Sequence, residues 1–299
     1  MEMYGTEYEQ GETCERGYAF FSRAWKEMEF HCVKLEEVCR QKDAEFLGIL
    51  NDIKYGRNLQ NVIAYLESNQ SSDLMEEAPY LVGTNAKADK INQAHMRALD
   101  EKTEKKFWAI IEGDVTYEDI KNISFAKQSL VVNVGAKVML TANDANGEYV
   151  NGTMGTIIDI SKERGDATCI QVLTDKGKKV DVYRYEREIE RQDIEESKEK
   201  DKNGETVIVK KIVRKIVGSF KQFPIKIAWA MSIHKSQGQT FGQVNIDPRC
   251  WDSGQFYVAV SRAESIAGIH FMAPIMKQYI RTLSDEVIKI LENSLKVIE

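Results

Sequence analysis

Residues 225–262 constrain the fold more than any other stretch of the chain. IKIAWAMSIHKSQGQTFGQVNIDPRCWDSGQFYVAVSR reads as a buried strand, a polar loop, a second strand and a helix ending at Arg262; the loop starts with Ser232 and carries His234, Lys235, Ser236, Gln237 and Gly238. In this layout the C-terminal end of a strand presents polar groups and a helix ends on one arginine. The chain contains no GxxxxGK[ST] loop with which to hold a nucleotide by itself.

Upstream, the spacing predicts two helices. Phe46, Leu50 and Ile53 share one face of residues 43–54, and Leu59, Val62, Ile63 and Leu66 share one face of the next. PYLVGT then gives a short apolar strand at 79–84. Asn85 follows, and Ala88, Ile91, His95 and Leu99 resume helical spacing over 88–99, so strand, polar turn and helix form one unit of a parallel α/β sheet.

From residue 131 the period changes to two. In VVNVGAKVML, Val132, Val134, Ala136, Val138 and Leu140 alternate with Asn133, Gly135, Lys137 and Met139. Turn signals at Asn146-Gly147, Asn151-Gly152 and Asp175-Lys176-Gly177 separate β-rich runs at 156–160, 168–173 and 179–183. Residues 186–205 are almost devoid of apolar side chains and read as a hairpin arm or loop. A β-branched run at 206–217 returns the chain to the sheet at 225. The fold class is therefore α/β, a parallel-sheet domain interrupted by a small all-β domain at 139–219. An apolar stripe of Met276, Tyr279, Ile280, Leu283, Val287 and Leu291 predicts a packing helix over 274–292.

No apolar run approaches the length of a membrane span. The acidic N-terminus lacks the basic-then-apolar order of a secretion signal, which places the expectation in the cytoplasm, or in the nucleus or mitochondrion of a eukaryote. Five cysteines without a CxxC pair argue against a zinc site or a disulfide framework. The net charge of −6 is unevenly spread: residues 1–80 hold sixteen acids against eight bases, a balance of −8 that leaves +2 for the rest. Residues 198–226 carry nine Lys or Arg against three acids, a basic strip that suits either DNA contact or a solvated hairpin edge.

Several of these stretches together resemble the PIF (petite integration frequency) family of superfamily-one helicases, relatives of RecD. GSFKQFPIKIAWAMSIHKSQGQTF and GQFYVAVSR look like the family's motifs V and VI. LVGTNAKADKIN is similar to the opening of its second RecA-like lobe, LEEVCRQKD to its arginine-bearing motif at the lobe boundary, and VNVGAKVMLTANDANGEYVNGTMG to the entry into its β-barrel insertion. The resemblance runs from about residue 20 to 273. It implies a RecA-like lobe over 35–138 and 220–284, an SH3-like β-barrel over 139–219, a remnant of the first lobe at 1–34 and a C-terminal helix at 285–299. One position departs from the family's pattern: where these proteins usually have Asp after Phe241, this chain has Gly242.

The activity implied is ATP-dependent 5′ to 3′ translocation on single-stranded DNA by a monomer. ATP and Mg2+ would be held mainly by a missing N-terminal RecA-like lobe. Arg40 and Arg262 then become candidate arginine fingers, since guanidinium keeps its charge and offers a planar donor fork to a γ-phosphate. Gly238 and Gln239 would face the nucleotide, and Thr84, Asn85, Ser232, His234, Lys235 and Ser236 would meet DNA phosphates without base preference. Plainer readings stand beside these: a pairing of Arg262 with Glu264, Asn85 as a simple helix cap, and core packing for Trp229. A non-catalytic DNA-binding or partner-binding remnant is the alternative function. A UvrD-like helicase is disfavoured, because such proteins have KGLE where this chain has SQGQT.

Overall fold

The structure, a computed structural model, describes residues 40–121, 123, 127–162, 168–200 and 206–282, with isolated positions at 28 and 289. The expected first-lobe remnant, apart from Met28, and the expected C-terminal helix, apart from Lys289, lie outside the described residues. In chain order the elements are α1 (Ala44–Tyr55), α2 (Leu59–Asn69), β1 (Tyr80–Val82), α3 (Asn85–Arg97), β2 (Lys105–Trp108), β3 (Ile110–Gly113), α4 (Tyr117–Ile120), β4 (Ser129–Val132), β5 (Lys137–Leu140), β6 (Met154–Lys162) and β7 (Thr168–Thr174). They continue with β8 (Lys179–Val182), β9 (Tyr185–Lys200), β10 (Thr206–Gln222), β11 (Ile225–Ile227), β12 (Ala230–Ser232), β13 (Val244–Ile246), α5 (Gln255–Val260) and β14 (Ile269–Phe271).

Both N-terminal helices form where the periodicity places them. The Asp43 carboxylate caps α1 by accepting from the backbone N–H groups of Glu45 and Phe46, and Gly56 ends the helix in the left-handed conformation that glycine adopts without penalty. The buried face of α1 is Phe46, Ile49, Leu50 and Ile53. Val62 and Leu66 bury α2 in the same core.

β12, β1, β13 and β14 form a parallel sheet in that order. Alternation along β1 sends Leu81 into the core that holds α1, α2 and Phe256 of α5, whereas Tyr80 and Val82 face the other way and pack with Ala88 of α3. This two-sided covering is what a parallel sheet requires.

The apolar run IKIAWAMSI is not one strand. Its first part, β11, pairs antiparallel with β5; its second, β12, joins the parallel sheet. Trp229 sits between the two, 6% exposed and stacked on His95 with ring centroids 5.2 Å apart. Both halves are apolar because each enters a core, so composition alone hides the break. VVNVGAKVML divides similarly. β4 pairs with β2, β5 pairs with β6, and a turn at Gly135 (φ 87°) separates them while Val132, Ala136, Val138 and Leu140 all stay buried. The alternation is broken at the turn, where Asn133 is buried and Val134 is only half-buried.

The expected small β domain corresponds to an antiparallel sheet ordered β11-β5-β6-β7-β8, filled by Leu140, Ile157, Ile170, Val172, Val182 and Phe223. Its strands take in residues 137–138 and 225–227, beyond the expected 139–219. β9 and β10 form a long hairpin whose base is extended by β3. Much of the basic strip lies on this hairpin, and its charges are matched across the strands: Lys210 with Glu196 at 3.0 Å, Lys215 with Asp193 at 2.8 Å and Lys221 with Glu186 at 3.4 Å. Cross-strand neutralisation favours the hairpin-edge reading of the strip over DNA contact.

The helix expected from 274 does not form there. Residues 274–276 are not helical, Met276 is extended, and only Lys277–Tyr279 make a 3-10 turn. Ile275 and Ile280 both enter the main core, and a spacing of five residues would put them on different faces of an α-helix. Leu283, Val287 and Leu291 of the stripe lie outside the described residues. Among the described residues no helix is long and apolar enough to cross a membrane.

Candidate functional site

Two guanidinium groups meet at the end of α5. The chain leaves the helix through Ser261 and Arg262 and is pinned at once, because Phe241 N–H donates to the Arg262 carbonyl (2.9 Å) and Glu264 N–H donates to the Phe241 carbonyl (3.1 Å). The buried Gln41 amide donates to the carbonyls of Ser261 and Ala263 at 3.0 and 2.8 Å, tying the start of the described chain to the same bend. Arg40, its neighbour, donates from Nη1 to the Ser261 carbonyl (2.7 Å) and from Nε to Thr240 Oγ1 (2.9 Å).

Arg262 donates to the Val258 carbonyl (3.1 Å), the Gln239 carbonyl (3.3 Å) and Ser261 Oγ (3.1 Å). Its donors go to these groups and not to Glu264, which removes the simple ion-pair reading. Both arginines therefore touch Ser261, and among the described residues neither has a carboxylate partner. Burial, and next the charge of Arg40, pushes the Arg262 guanidinium below its usual pKa. Two like charges side by side on neutral acceptors repel one another, and an anion relieves that repulsion.

The second group of candidates lies at the C-terminal ends of β1 and β12. Thr84 caps α3 by accepting from Lys87 N–H at 3.3 Å, so the cap is Thr84 and Asn85 is the first helical residue. Asn85 Oδ1 accepts from the Ser232 hydroxyl at 2.9 Å, locking the two strand ends together. His234 and Lys235 are exposed on the 3-10 turn Ile233–Ser236, with His234 Nε2 3.5 Å from Asp252 Oδ2.

Ser236 does not belong with them. It is fully buried and its hydroxyl donates to the Ile233 carbonyl at 2.7 Å, because the fourth residue of a 3-10 turn points back into the core. Ser232 is buried as well, and its hydroxyl is spent on Asn85. The side chains presented to solvent are thus Thr84, Asn85, His234 and Lys235, with Ser232 bonded to Asn85 from beneath.

Beside this surface a cleft of ≈ 480 Å³ runs between α3, β4 and β11, lined among others by Asn85, Arg97, Lys127, Lys226, Ser232 and Lys235. Lys226 is half-buried there. Burial, followed by the neighbouring charges of Lys235 and Lys127, lowers its pKa to about 8, against a smaller opposing pull from Asp89. The depressed value means that the folded state disfavours the charged amine. Below pH 8 the amine is charged in both the folded and unfolded states and the full penalty applies; the penalty fades as pH rises from 8 towards 10.5. Lys226→Met should therefore raise Tm at pH 7 by about 2 °C, a modest figure because the site is partly solvated, and the gain should shrink above pH 8. Thermal melts at the two pH values check this, and a loss of Tm at pH 7 contradicts it.

One loop connects the two groups. From His234 and Lys235 the chain passes through Gly238, exposed at φ 85°, to Gln239, whose carbonyl receives Arg262 and whose side-chain amide lies against Gly152 of the β5–β6 loop. Gly242 has open space where a Cβ would project. Sequence reasoning missed Gln41, although it stands beside Arg40 in LEEVCRQKD. It also missed Asp247, whose buried carboxylate holds Lys87 at 3.1 Å and Arg249 at 2.7 Å. Burial pushes the Asp247 carboxyl up, but the bonds from Arg249 and Lys87 outweigh it and its pKa falls.

No family model matches the chain. Over 263 residues it is 30% identical to the ATP-dependent DNA helicase Pif1 of Bdellovibrio bacteriovorus, an alignment covering 87% of this chain and 54% of the relative. The unliganded Pif1 structure from Bacteroides sp. superposes with a TM-score of 0.70 at 28% identity, over 92% of this chain and 59% of that one. Its relatives are Pif1 helicases. A Bacteroides Pif1 structure bound to single-stranded DNA matches with a TM-score of 0.63 at 27% identity, over 92% of this chain and 59% of that chain. The α/β architecture with its parallel sheet is thus shared with Pif1 structures across most of the chain. The chain spans about half the length of the curated Pif1 relatives it matches.

Proposed function

We propose that this chain is the second, arginine-supplying lobe of an ATP-dependent 5′ to 3′ DNA helicase that translocates on single-stranded DNA. ATP and its Mg2+ are held mainly by a separate first lobe. One observation carries the reading: Arg40 and Arg262 converge on Ser261, and among the described residues no carboxylate neutralises them. The donor set fits a triphosphate approaching from outside the lobe. It does not fit self-sufficient nucleotide binding, since the phosphate-cradling loop is absent from the sequence. Mg2+ would supply charge neutralisation of the phosphates, while this chain's own residues orient and stabilise from the opposite side.

Phosphoryl transfer depends chiefly on positioning and charge stabilisation, so guanidinium groups presented across a cleft suffice to control the rate. Arg262 and Arg40 draw the two lobes together while the triphosphate is intact and release them when charge leaves. Gln239 moves with Arg262, and the loop carries that movement to His234 and Lys235. Thr84, Asn85, His234 and Lys235 hold the DNA backbone, so their grip alternates with the arginine contact. Given ATP and single-stranded DNA, the chain alone should bind DNA and leave ATP intact; joined to an ATP-binding lobe, it should support DNA-stimulated hydrolysis. Turnover by the 299-residue chain alone would refute the division of labour.

A further inference from the structure

Trp251 is 55% exposed, and a single exposed aromatic residue says little by itself. This one, however, is clamped at every polar handle. Its backbone N–H donates to Gln255 Oε1 (3.1 Å), its carbonyl accepts from Arg281 Nη1 (2.9 Å), and its indole N–H donates to the Gly83 carbonyl (3.3 Å). Gln255, itself 2% exposed, donates to the same Gly83 carbonyl at 3.0 Å. A Cβ built on Gly83 would lie 3.5 Å from indole Cδ1, so the ring edge rests on the end of β1.

The place matters as much as the clamp. Gly83 immediately precedes Thr84 at the start of α3, and Asp252, next to Trp251, faces His234 across 3.5 Å. Arg281 bonds the Trp251 backbone carbonyl, and Lys87 in α3 and Arg249 two residues before Trp251 both pair with the buried Asp247 carboxylate. An immobilised, half-exposed indole among phosphate-compatible groups has the makings of a stacking platform, because every base has a π-face and stacking needs no base preference.

We propose that Trp251 stacks against one base of the single strand whose phosphates Thr84, Asn85 and His234 hold. The inference rests on the DNA reading above and adds the residue that grips a base. The test uses the 299-residue chain, a short oligo-dT strand and the same strand with abasic sites, read by anisotropy and by intrinsic tryptophan fluorescence. Trp251→Ala should bind oligo-dT about tenfold more weakly with an unchanged salt slope, since no phosphate contact is lost. Abasic DNA should weaken the wild type by a similar factor and leave Trp251→Ala nearly unaffected. Trp251→Phe keeps a ring; it should bind within about threefold of wild type yet lose the quenching that base stacking causes.

Equal affinity of wild type and Trp251→Ala for oligo-dT overturns the proposal. So does full quenching in Trp251→Phe, which would assign the signal to Trp25, Trp108 or Trp229. If the wild type binds oligo-dT and abasic DNA equally well, phosphate contact survives and stacking alone is refuted. If it binds neither, the DNA reading falls and the stacking with it.

Discussion

With an ATP-binding lobe supplied, Arg262→Ala lowers ATP turnover by about 10³-fold or more, the range seen when an arginine finger is removed, and leaves single-stranded DNA affinity within about threefold. The asymmetry follows from position. Arg262 reaches Val258, Gln239 and Ser261, whereas His234 and Lys235 stand earlier on the loop and keep their exposure without it. Arg262→Lys should fare little better in turnover, because an ammonium keeps the charge but not the planar fork. It should retain more of the native fold, and that separates lost chemistry from lost structure. Parallel loss of turnover and DNA affinity in both variants would contradict the assignment.

Phe256→Ala has the largest expected effect on stability. Helix α5 has six residues, too few to persist without tertiary packing, and it is held by burying Gln255, Phe256, Ala259 and Val260. Phe256 is fully buried and stacks on Phe271 with centroids 6.0 Å apart and planes 9° from parallel. Removing such a ring costs about 3–5 kcal/mol, against a total stability of about 5–15 kcal/mol for a typical domain. Tm should fall by roughly 10 °C, and calorimetry of the variant checks it. The same helix delivers Ser261 and Arg262 to the candidate site, so any turnover that survives should fall as well. A shift under about 2 °C would show that the helix is held by something other than this core.

Much of this architecture is legible in the residues. Helices α1 and α2, strand β1 and the β runs at 154–162, 168–174 and 179–182 lie where their apolar patterns and turn signals place them. What hid was any change of partner within an unbroken pattern. IKIAWAMSI serves two sheets and VVNVGAKVML two strand pairings, and neither break alters the run of apolar side chains.

The candidate site shows the same limit. Ser232 and Ser236 have the right residue type in the right stretch, yet Ser232 is buried at the end of β12 with its hydroxyl on Asn85 and Ser236 is buried by the 3-10 turn, and such local geometry is not written in composition. The clamp around Trp251 depends on Gly83, Gln255 and Arg281, which are far apart in sequence. By contrast, the meeting of Arg40 with Arg262 could be anticipated only through the family resemblance, since no spacing rule links positions 222 residues apart.

The most direct test of the arginine pair is binding of a transition-state mimic. With the ATP-binding lobe present, affinities for ADP and for ADP with aluminium fluoride are compared between wild type and the Arg40→Ala and Arg262→Ala variants. The account predicts that both variants bind ADP nearly as wild type does and lose most of the extra affinity for the fluoride complex. Undiminished affinity for the fluoride complex in both variants would contradict it.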